Sequence, residues 1–426
     1  MSDKILNRRQ FMHKASAAAA AFAVAGTSTR RSFGANDRLG VGLIGCGGRG
    51  NSHLQTVHWL ATDGKEAIDI VAVSDTFKPR MTKAAEGYKA KPYSDYRDLL
   101  KDPNVDVVCI ATCDHQHGYQ AIDAVKAGKD VYCEKPITHW RQFELTKRLA
   151  EEVKKSGRVF QAGTQGMSDS AWHQMKKLVK EGLIGQPVFG ETGYFRIGDF
   201  GERGMRIDDP DAKPGNDLNW QAFLGDRTKR PFNVDRFFRW RLFMDYAGGP
   251  VTDLYPHCLT QVIDILGVGF PESVVALGGI HRYDYELREV PDTFNLIAQY
   301  PEKVTISVVG TIANDFNSLE GDRGAGNRQP IIRGWEGALN IRRNKEIVFI
   351  PRRTSGAKEP RTIPIEYAED NIQHWRNLIE CCRKRNKYTW SPMDLAFRTQ
   401  TVLQMAMQAY LAKKTVKFDA QKRQII

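Results

Sequence analysis

From Gly40 to Thr164, short apolar runs alternate with stretches of helical spacing. Val41–Ile44, Ile68–Ser74 and Val105–Thr112 are rich in valine and isoleucine, and the last is almost unbroken, as in strands buried on both faces of a parallel sheet. A helix over Gly118–Ala127 stops at Gly128, Asp130–Cys133 reads as the next strand, and Val159–Thr164 closes the series. Such alternation predicts a doubly wound α/β domain. Gln165 then opens a crossing helix that includes Trp172. From Val188 the period changes to two, and β-like runs follow at Ser273–His281, Thr293–Tyr300, Val304–Ile312, Gly337–Ile341 and Ile347–Ile350. Strands in succession predict an α+β domain with a mostly antiparallel open sheet. Helical spacing returns over Asp370–Arg385 and Pro392–Lys413, the latter with Ser391 as its cap, before a short strand over Thr415–Phe418.

A chain of 426 residues exceeds one ordinary core. The pattern divides it into 1–34, a leader; 35–164, the α/β domain; 165–369, the α+β domain; and 370–426, terminal helices. The leader carries Arg8-Arg9-Gln10-Phe11 and an alanine-dominated run over Ala15–Ala25. Twin arginines before a weakly apolar run predict a Tat-type export signal and a periplasmic or otherwise exported protein. That run is about half the length of a bilayer span, so no membrane anchor is expected. The leader also holds +5 of the formal net charge of +12. The remaining cations are dispersed among acids, without an aromatic-interleaved stripe, which excludes nucleic acid and favours an anionic cofactor or substrate. Seven cysteines, with no C-x-x-C pair, form no zinc framework, and no metal is expected.

Candidate chemistry begins at the first strand, which runs into Gly45-Cys46-Gly47-Gly48-Arg49-Gly50. Glycines at 45, 47 and 50 have the G-x-G-x-x-G spacing of a dinucleotide-binding βαβ unit, where a tight turn and a helix start cradle a pyrophosphate. Asp75 ends the second strand, where an acid holds a ribose hydroxyl pair and favours NAD. Lys78 and Arg80 are close enough in sequence to bind a 2′-phosphate instead, so NADP stays open. The strand over Asp130–Cys133 delivers Glu134-Lys135-Pro136 to the carboxyl edge of the sheet, facing the nicotinamide crevice. Asp253 and His257 lie four apart at the start of a helix running to Leu266, with Thr252 or Asp253 as its cap. Oxidation of a secondary alcohol needs a base for the hydroxyl proton as hydride leaves carbon, a role for His257 with Asp253 orienting it and Lys135 stabilising alkoxide charge. A long polar insertion over Asp199–Asn233 carries Trp220, with Trp240 after it. These aromatics either stack against a sugar ring or pin the loop to the sheet.

The glycine loop, Thr112 followed by His117, and Glu134-Lys135-Pro136 together resemble the Gfo/Idh/MocA family of glucose-fructose oxidoreductase and inositol dehydrogenase. The resemblance implies cofactor contacts from Thr112, His117 and Glu134, a catalytic Lys135, Asp253 and His257, and a dimer or tetramer. It implies an NAD(P)-dependent oxidoreductase acting on a sugar, sugar derivative or polyol. Cys113 and Tyr255-Pro256 depart from the residues common there. Export in a folded state, into a compartment without a free nicotinamide pool, favours a tightly held cofactor reset within each cycle. Two alternatives stay open. One is a redox-neutral glycosidase working by transient C3 oxidation, with Tyr255 as its acid or base; the other is a non-catalytic carbohydrate-binding or sensor protein.

Overall fold

The computed structural model describes residues 38–316, 326–342, 345–354 and 356–426, so the export segment expected over 1–34 lies outside the described residues. Arg38–Ile426 form one unit built on two sheets. The first contains β1 (Leu39–Ile44), β2 (Ile68–Ser74), β3 (Lys91–Tyr93), β4 (Val107–Ile110), β5 (Asp130–Glu134) and β6 (Phe160–Gly163), in the order β3-β2-β1-β4-β5-β6. All five pairings are parallel. The crossovers carry α1 (Gly48–Thr62), α2 (Lys78–Tyr88), α3 (Tyr96–Lys101), α4 (Asp114–Lys126) and α5 (Phe143–Ser156). Strands β1, β4, β5 and β6 are buried along their whole length, which is why their sequences show no alternation. Helix α4 starts four residues before the expected Gly118, because Asp114 to His117 already form its first turn behind the extended Cys113.

Gln165–Ser168 is a single 3₁₀ turn, and the crossing helix proper, α6 (Ser170–Lys180), begins where Asp169 accepts from the Ala171 amide. The second sheet has eleven strands, starting with the long β7 (Pro187–Ile197). Short helices α7 (Trp220–Leu224), α8 (Val234–Phe238) and α9 (Pro250–Asp253) precede the buried α10 (Tyr255–Leu266). Strands β8 (Ser273–Gly279), β9 (Thr293–Tyr300), β10 (Val304–Thr311), β11 (Ala313–Asn314), β12 (Gly326–Gly334), β13 (Gly337–Arg342), β14 (Glu346–Pro351) and β15 (Arg361–Pro364) follow. The chain ends with α11 (Asn371–Lys384), α12 (Met393–Ala412), β16 (Val416–Asp419) and β17 (Gln424–Ile425). The strand order is β15-β14-β13-β12-β7-β10-β9-β8-β16-β17, with β11 beside β7. Its pairings are antiparallel except β7 with β10. In β9 and β10 every second residue is buried, so one face of this sheet packs on the core, as period two requires. Helix α10 lies on that face, close enough that a Cβ at Gly190 would meet Val262 and Leu266.

Helix α11 returns to the first sheet. Its Trp375 indole donates to His53 Nδ1 at 3.0 Å, and the His374 carbonyl accepts from Gln161 at 2.8 Å. His374 and Asn377 therefore act within the packing, Asn377 accepting from the Trp390 amide. Two expected caps are corrected. Thr252 and Asp253 lie inside α9, because Pro250 already opens that turn; Leu254 precedes α10, and Pro256 sits in its first turn. Before α12, Pro392 takes the cap position, and Ser391 instead shares a hydrogen bond with Thr164 at 2.6 Å.

Candidate functional site

A cleft of about 770 Å³ opens along the carboxyl ends of β1, β2, β4 and β5. Its floor is the glycine loop. Gly45 has φ of +93°, and a Cβ there would meet the Ala111 carbonyl oxygen at 2.7 Å. Helix α1 starts at Gly48 behind Gly47, with no side-chain cap and no acid in its first turn. Its free amide N–H groups and positive dipole end are left for an anion. Arg49 adds a buried Nη2 that lacks a hydrogen-bond partner, and a Cβ at Gly48 would meet nothing within 4 Å. These features fit the pyrophosphate of a dinucleotide.

Asp75 stands at the end of β2, its Oδ2 accepting from the Cys46 amide at 2.6 Å and its Oδ1 from the Phe77 amide at 2.8 Å. Burial pushes its carboxyl pKa up, against the pull of Arg80. Thr112 donates to Gln120 at 2.7 Å, and the buried His117 ring lies 2.6 Å from the Pro136 carbonyl and 3.2 Å from that of Thr112. His117 thereby ties the end of β4 to the turn that follows Lys135. Glu134 also lines the cleft, but its Oε1 accepts from Arg49 at 2.7 Å, His53 at 2.8 Å and Gln165 at 2.9 Å. Burial works against its charge, yet Arg49 and His53 hold the carboxyl well below the usual range. What Glu134 offers is orientation of Arg49 and of the lysine beside it.

At the inner end Lys135 Nζ donates to the Asp253 carbonyl at 2.6 Å and to its Oδ1 at 2.8 Å. Arg241 Nε donates to the same Oδ1 at 3.2 Å, and Arg196 lies 3.9 Å from Oδ2. Burial opposes the Asp253 charge, but Lys135, Arg241 and Arg196 outweigh it and hold the acid far below its ordinary pKa. His257, on the first turn of α10, is pushed down to about 3 by burial, with Lys135 adding to the effect. It is therefore neutral near pH 7, the form that accepts a proton. His257 does not itself line the cleft, whereas Lys135 does.

Two site residues were not foreseen. Arg241 lines the cleft and stacks its guanidinium 4.3 Å from the centre of the Trp240 ring. Asp114, buried at the start of α4, is pushed up to about 7 by burial, with Arg241, Thr252 and Lys135 pulling the other way. Its place at the carboxyl end of β4 was the available signal. Arg241 had none, since it reaches the site only through the turn after α8.

Of the expected substrate residues, only Trp240 lines the cleft. Tyr255 is corrected: it is fully buried under β9 and donates its hydroxyl to the Phe294 carbonyl. Trp220 is corrected too, because it stacks on Phe223 at 5.0 Å and donates its indole N–H to the Arg230 carbonyl at 2.8 Å. It pins the insertion, the second of the two roles open to it.

That insertion forms a clasp. On one flank of the cleft the Lys78 amide donates to the Asp217 carbonyl and the Asn219 amide to the Thr76 carbonyl, both at 2.8 Å. On the other, Gln116 donates to the Ala222 and Phe223 carbonyls, and Tyr119 donates to Asp226 at 2.6 Å. Asn219, Gln221, Ala222 and Phe223, between these anchors, line the cleft.

Residues 39–164 match the Gfo/Idh/MocA family model, described as an oxidoreductase family with an NAD-binding Rossmann fold. Inositol 2-dehydrogenase of Salmonella typhimurium is 32% identical over 152 residues, covering 35% of this chain and 44% of that protein. Inositol 2-dehydrogenase 1 of Saccharopolyspora erythraea is 36% identical over 150 residues, covering 35% and 43%. The chain thus spans under half the length of these curated relatives. Among solved structures, a levoglucosan dehydrogenase in complex with NADH and levoglucosan aligns with a TM-score of 0.66 at 18% identity, over 89% of this chain and 99% of that one. An NAD-binding oxidoreductase from Klebsiella pneumoniae aligns with a TM-score of 0.65 at 18% identity, over 89% and 99%. The two-sheet fold is therefore shared along nearly the whole of those chains, and the NAD-binding character rests on residues 39–164.

Proposed function

We propose that the protein is an NAD(P)-dependent oxidoreductase that transfers hydride at a secondary alcohol of a sugar, sugar derivative or polyol. The observation that carries this reading is the Lys135–Asp253 contact at the inner end of a dinucleotide-sized cleft. Nicotinamide held in this cleft supplies the hydride acceptor. Lys135 then places a cation where alkoxide charge develops. Asp253 fixes that ammonium from the far side, and His257 is assigned as the acceptor of the hydroxyl proton through Lys135 or a bridging water. That role requires the pKa of its imidazole to rise from about 3 toward neutrality once cofactor and substrate are bound. Trp240, largely buried under the Arg241 guanidinium, contributes an apolar wall to the cleft beside the place for a sugar. The polyol and anhydrosugar named for the inositol and levoglucosan dehydrogenases support this substrate class.

The clasp favours a cofactor retained between turnovers, in keeping with an exported protein. The redox-neutral glycosidase reading loses its Tyr255, since that hydroxyl is buried and engaged. Outward-facing Val275, Leu277 and Ile297 on the second sheet favour pairing with a second copy. The decisive experiment is mass spectrometry of the small molecule released on denaturing the purified protein, with absorbance at the reduced-nicotinamide band followed across a panel of sugars and polyols. Retained nicotinamide that changes redox state with one of them supports the proposal. A protein that neither retains nor rebinds NAD or NADP would leave a carbohydrate-binding role in its place.

A further inference from the structure

We propose that Asp208, delivered by the insertion, selects the unphosphorylated dinucleotide by occupying Arg80; this rests on the reading of the cleft as a nicotinamide dinucleotide site. Arg80 is the cation that a 2′-phosphate would need. Its guanidinium lies over the glycine loop, so that a Cβ at Gly47 would be 3.4 Å from Nη1. It is flanked by the Phe238 ring, 5.2 Å from the ring centre. In that position it faces the ribose end marked by Asp75.

Arg80 already carries a counter-charge. Its Nε donates to Asp208 Oδ2 at 2.6 Å in a partly exposed pair, with side-chain exposures of 24% and 30%. Lys78, the other cation near this site, meets Asp217 of the same insertion at 3.3 Å. The second cation beside Asp208 is Arg206, at 3.7 Å and 86% exposed, where solvent screens it. The ribose end therefore carries two carboxylates, Asp75 and Asp208, around one paired guanidinium. A ribose with both hydroxyls free gains an acceptor in Asp75, whereas a 2′-phosphate brings nearly two negative charges against both acids. The insertion is anchored beside this site by main-chain bonds between Asp217 and Lys78 and between Asn219 and Thr76, which keeps the segment carrying Asp208 next to Arg80.

The test is a competition. Purified full-length protein is equilibrated with equal concentrations of NAD and NADP and desalted, and the retained dinucleotides are quantified by mass spectrometry after denaturation. The wild type is expected to retain NAD in excess. Asp208→Asn, at a partly exposed loop position, is expected to shift the retained NADP:NAD ratio at least about tenfold toward NADP. Adding Arg80→Ala to that variant is expected to cancel the shift. An unmoved ratio in Asp208→Asn, or a wild type that prefers NADP, would overturn the selectivity proposal and leave the cleft reading intact. A wild type that retains and rebinds neither dinucleotide would overturn both.

Discussion

The ammonium of Lys135 and the carboxylate of Asp253 meet at 2.8 Å across 118 residues of sequence, joining the end of β5 to the turn before α10. Asp253 is the acid on which Lys135, Arg241 and Arg196 converge, so its removal leaves a cationic cluster without its counter-charge. Asp253→Asn is expected to weaken both folding and turnover. Lys135→Met is expected to reduce kcat by about 100- to 10,000-fold, the range for loss of a charge-stabilising or proton-transferring group, while dinucleotide is still retained. Steady-state kinetics together with cofactor content would check this. Loss of both at once would make Lys135 a structural residue.

Asp114 and His257 titrate with opposite consequences. The Asp114 carboxyl stands near 7 in the folded protein and about 4 in an unfolded chain. Between these values the folded state binds the extra proton, so its contribution is fully present below about pH 4 and is lost as pH rises through 7. His257 stands near 3 when folded and about 6.5 when unfolded, so its contribution is present above pH 6.5 and is lost as pH falls toward 3. Asp114→Asn is expected to gain stability relative to the wild type as pH rises from 4 to 7, by on the order of 1 kcal/mol per pH unit at most. Chemical denaturation at several pH values would reveal it, and a pH-independent difference would contradict the assignment.

The first sheet was legible because β1, β4, β5 and β6 are buried along their whole length and β2 is an unbroken β-rich run apart from Asp69. Ile68–Ser74 is read with its observed limits, and the glycine loop and Lys135 follow from strand ends. In the second sheet Thr293–Tyr300 is equally plain, since its alternation records one buried face. The site was harder to read where it depends on contacts between distant segments. Asp253 and His257 stand out by their spacing, but nothing local announces that Arg241 joins them or that Asp208 reaches Arg80. Tyr255 misled because its neighbours in sequence are site residues, while the helix turns its ring toward Phe294 and the core.

His53 and Glu134 form the inner half of a relay from α11 to the cofactor loop. Because the Trp375 indole donates to His53 Nδ1, the proton of His53 sits on Nε2 and points to Glu134. His53→Leu removes a donor from a buried carboxylate and an acceptor from a buried indole. A loss of about 1–3 kcal/mol per orphaned group is expected in urea denaturation. His53→Gln, which can offer an N–H to Glu134, is expected to recover part of it.

Two glycines separate folding from binding. A Cβ at Gly50 would lie 1.8 Å from the Gly45 carbonyl oxygen, so Gly50→Ala is expected to displace α1 and to lower Tm. Gly48 has open space around its Cβ position. Gly48→Ala is expected to keep the wild-type Tm without ligand and to lose affinity for dinucleotide, because the added methyl occupies the space left for pyrophosphate. Thermal unfolding with and without NAD distinguishes the two. Equal NAD binding by Gly48→Ala and the wild type would place the phosphates elsewhere.

Retention of cofactor by the clasp is expected to depend on its anchor at α4. Tyr119 donates to Asp226 at 2.6 Å, and Gln116 holds the Ala222 and Phe223 carbonyls, so this flank is secured by side chains where the other is secured by backbone. Side-chain anchors can be released without disturbing the β2–α2 turn. Tyr119→Phe combined with Gln116→Ala is expected to leave the fold and the nicotinamide end intact while raising the rate of cofactor loss about tenfold or more, since each lost hydrogen bond is worth about 1 kcal/mol. The rate is read by trapping released dinucleotide with an auxiliary dehydrogenase. An unchanged rate would show that the clasp shapes the cleft without governing release, and retention would then rest on the glycine loop and Arg49.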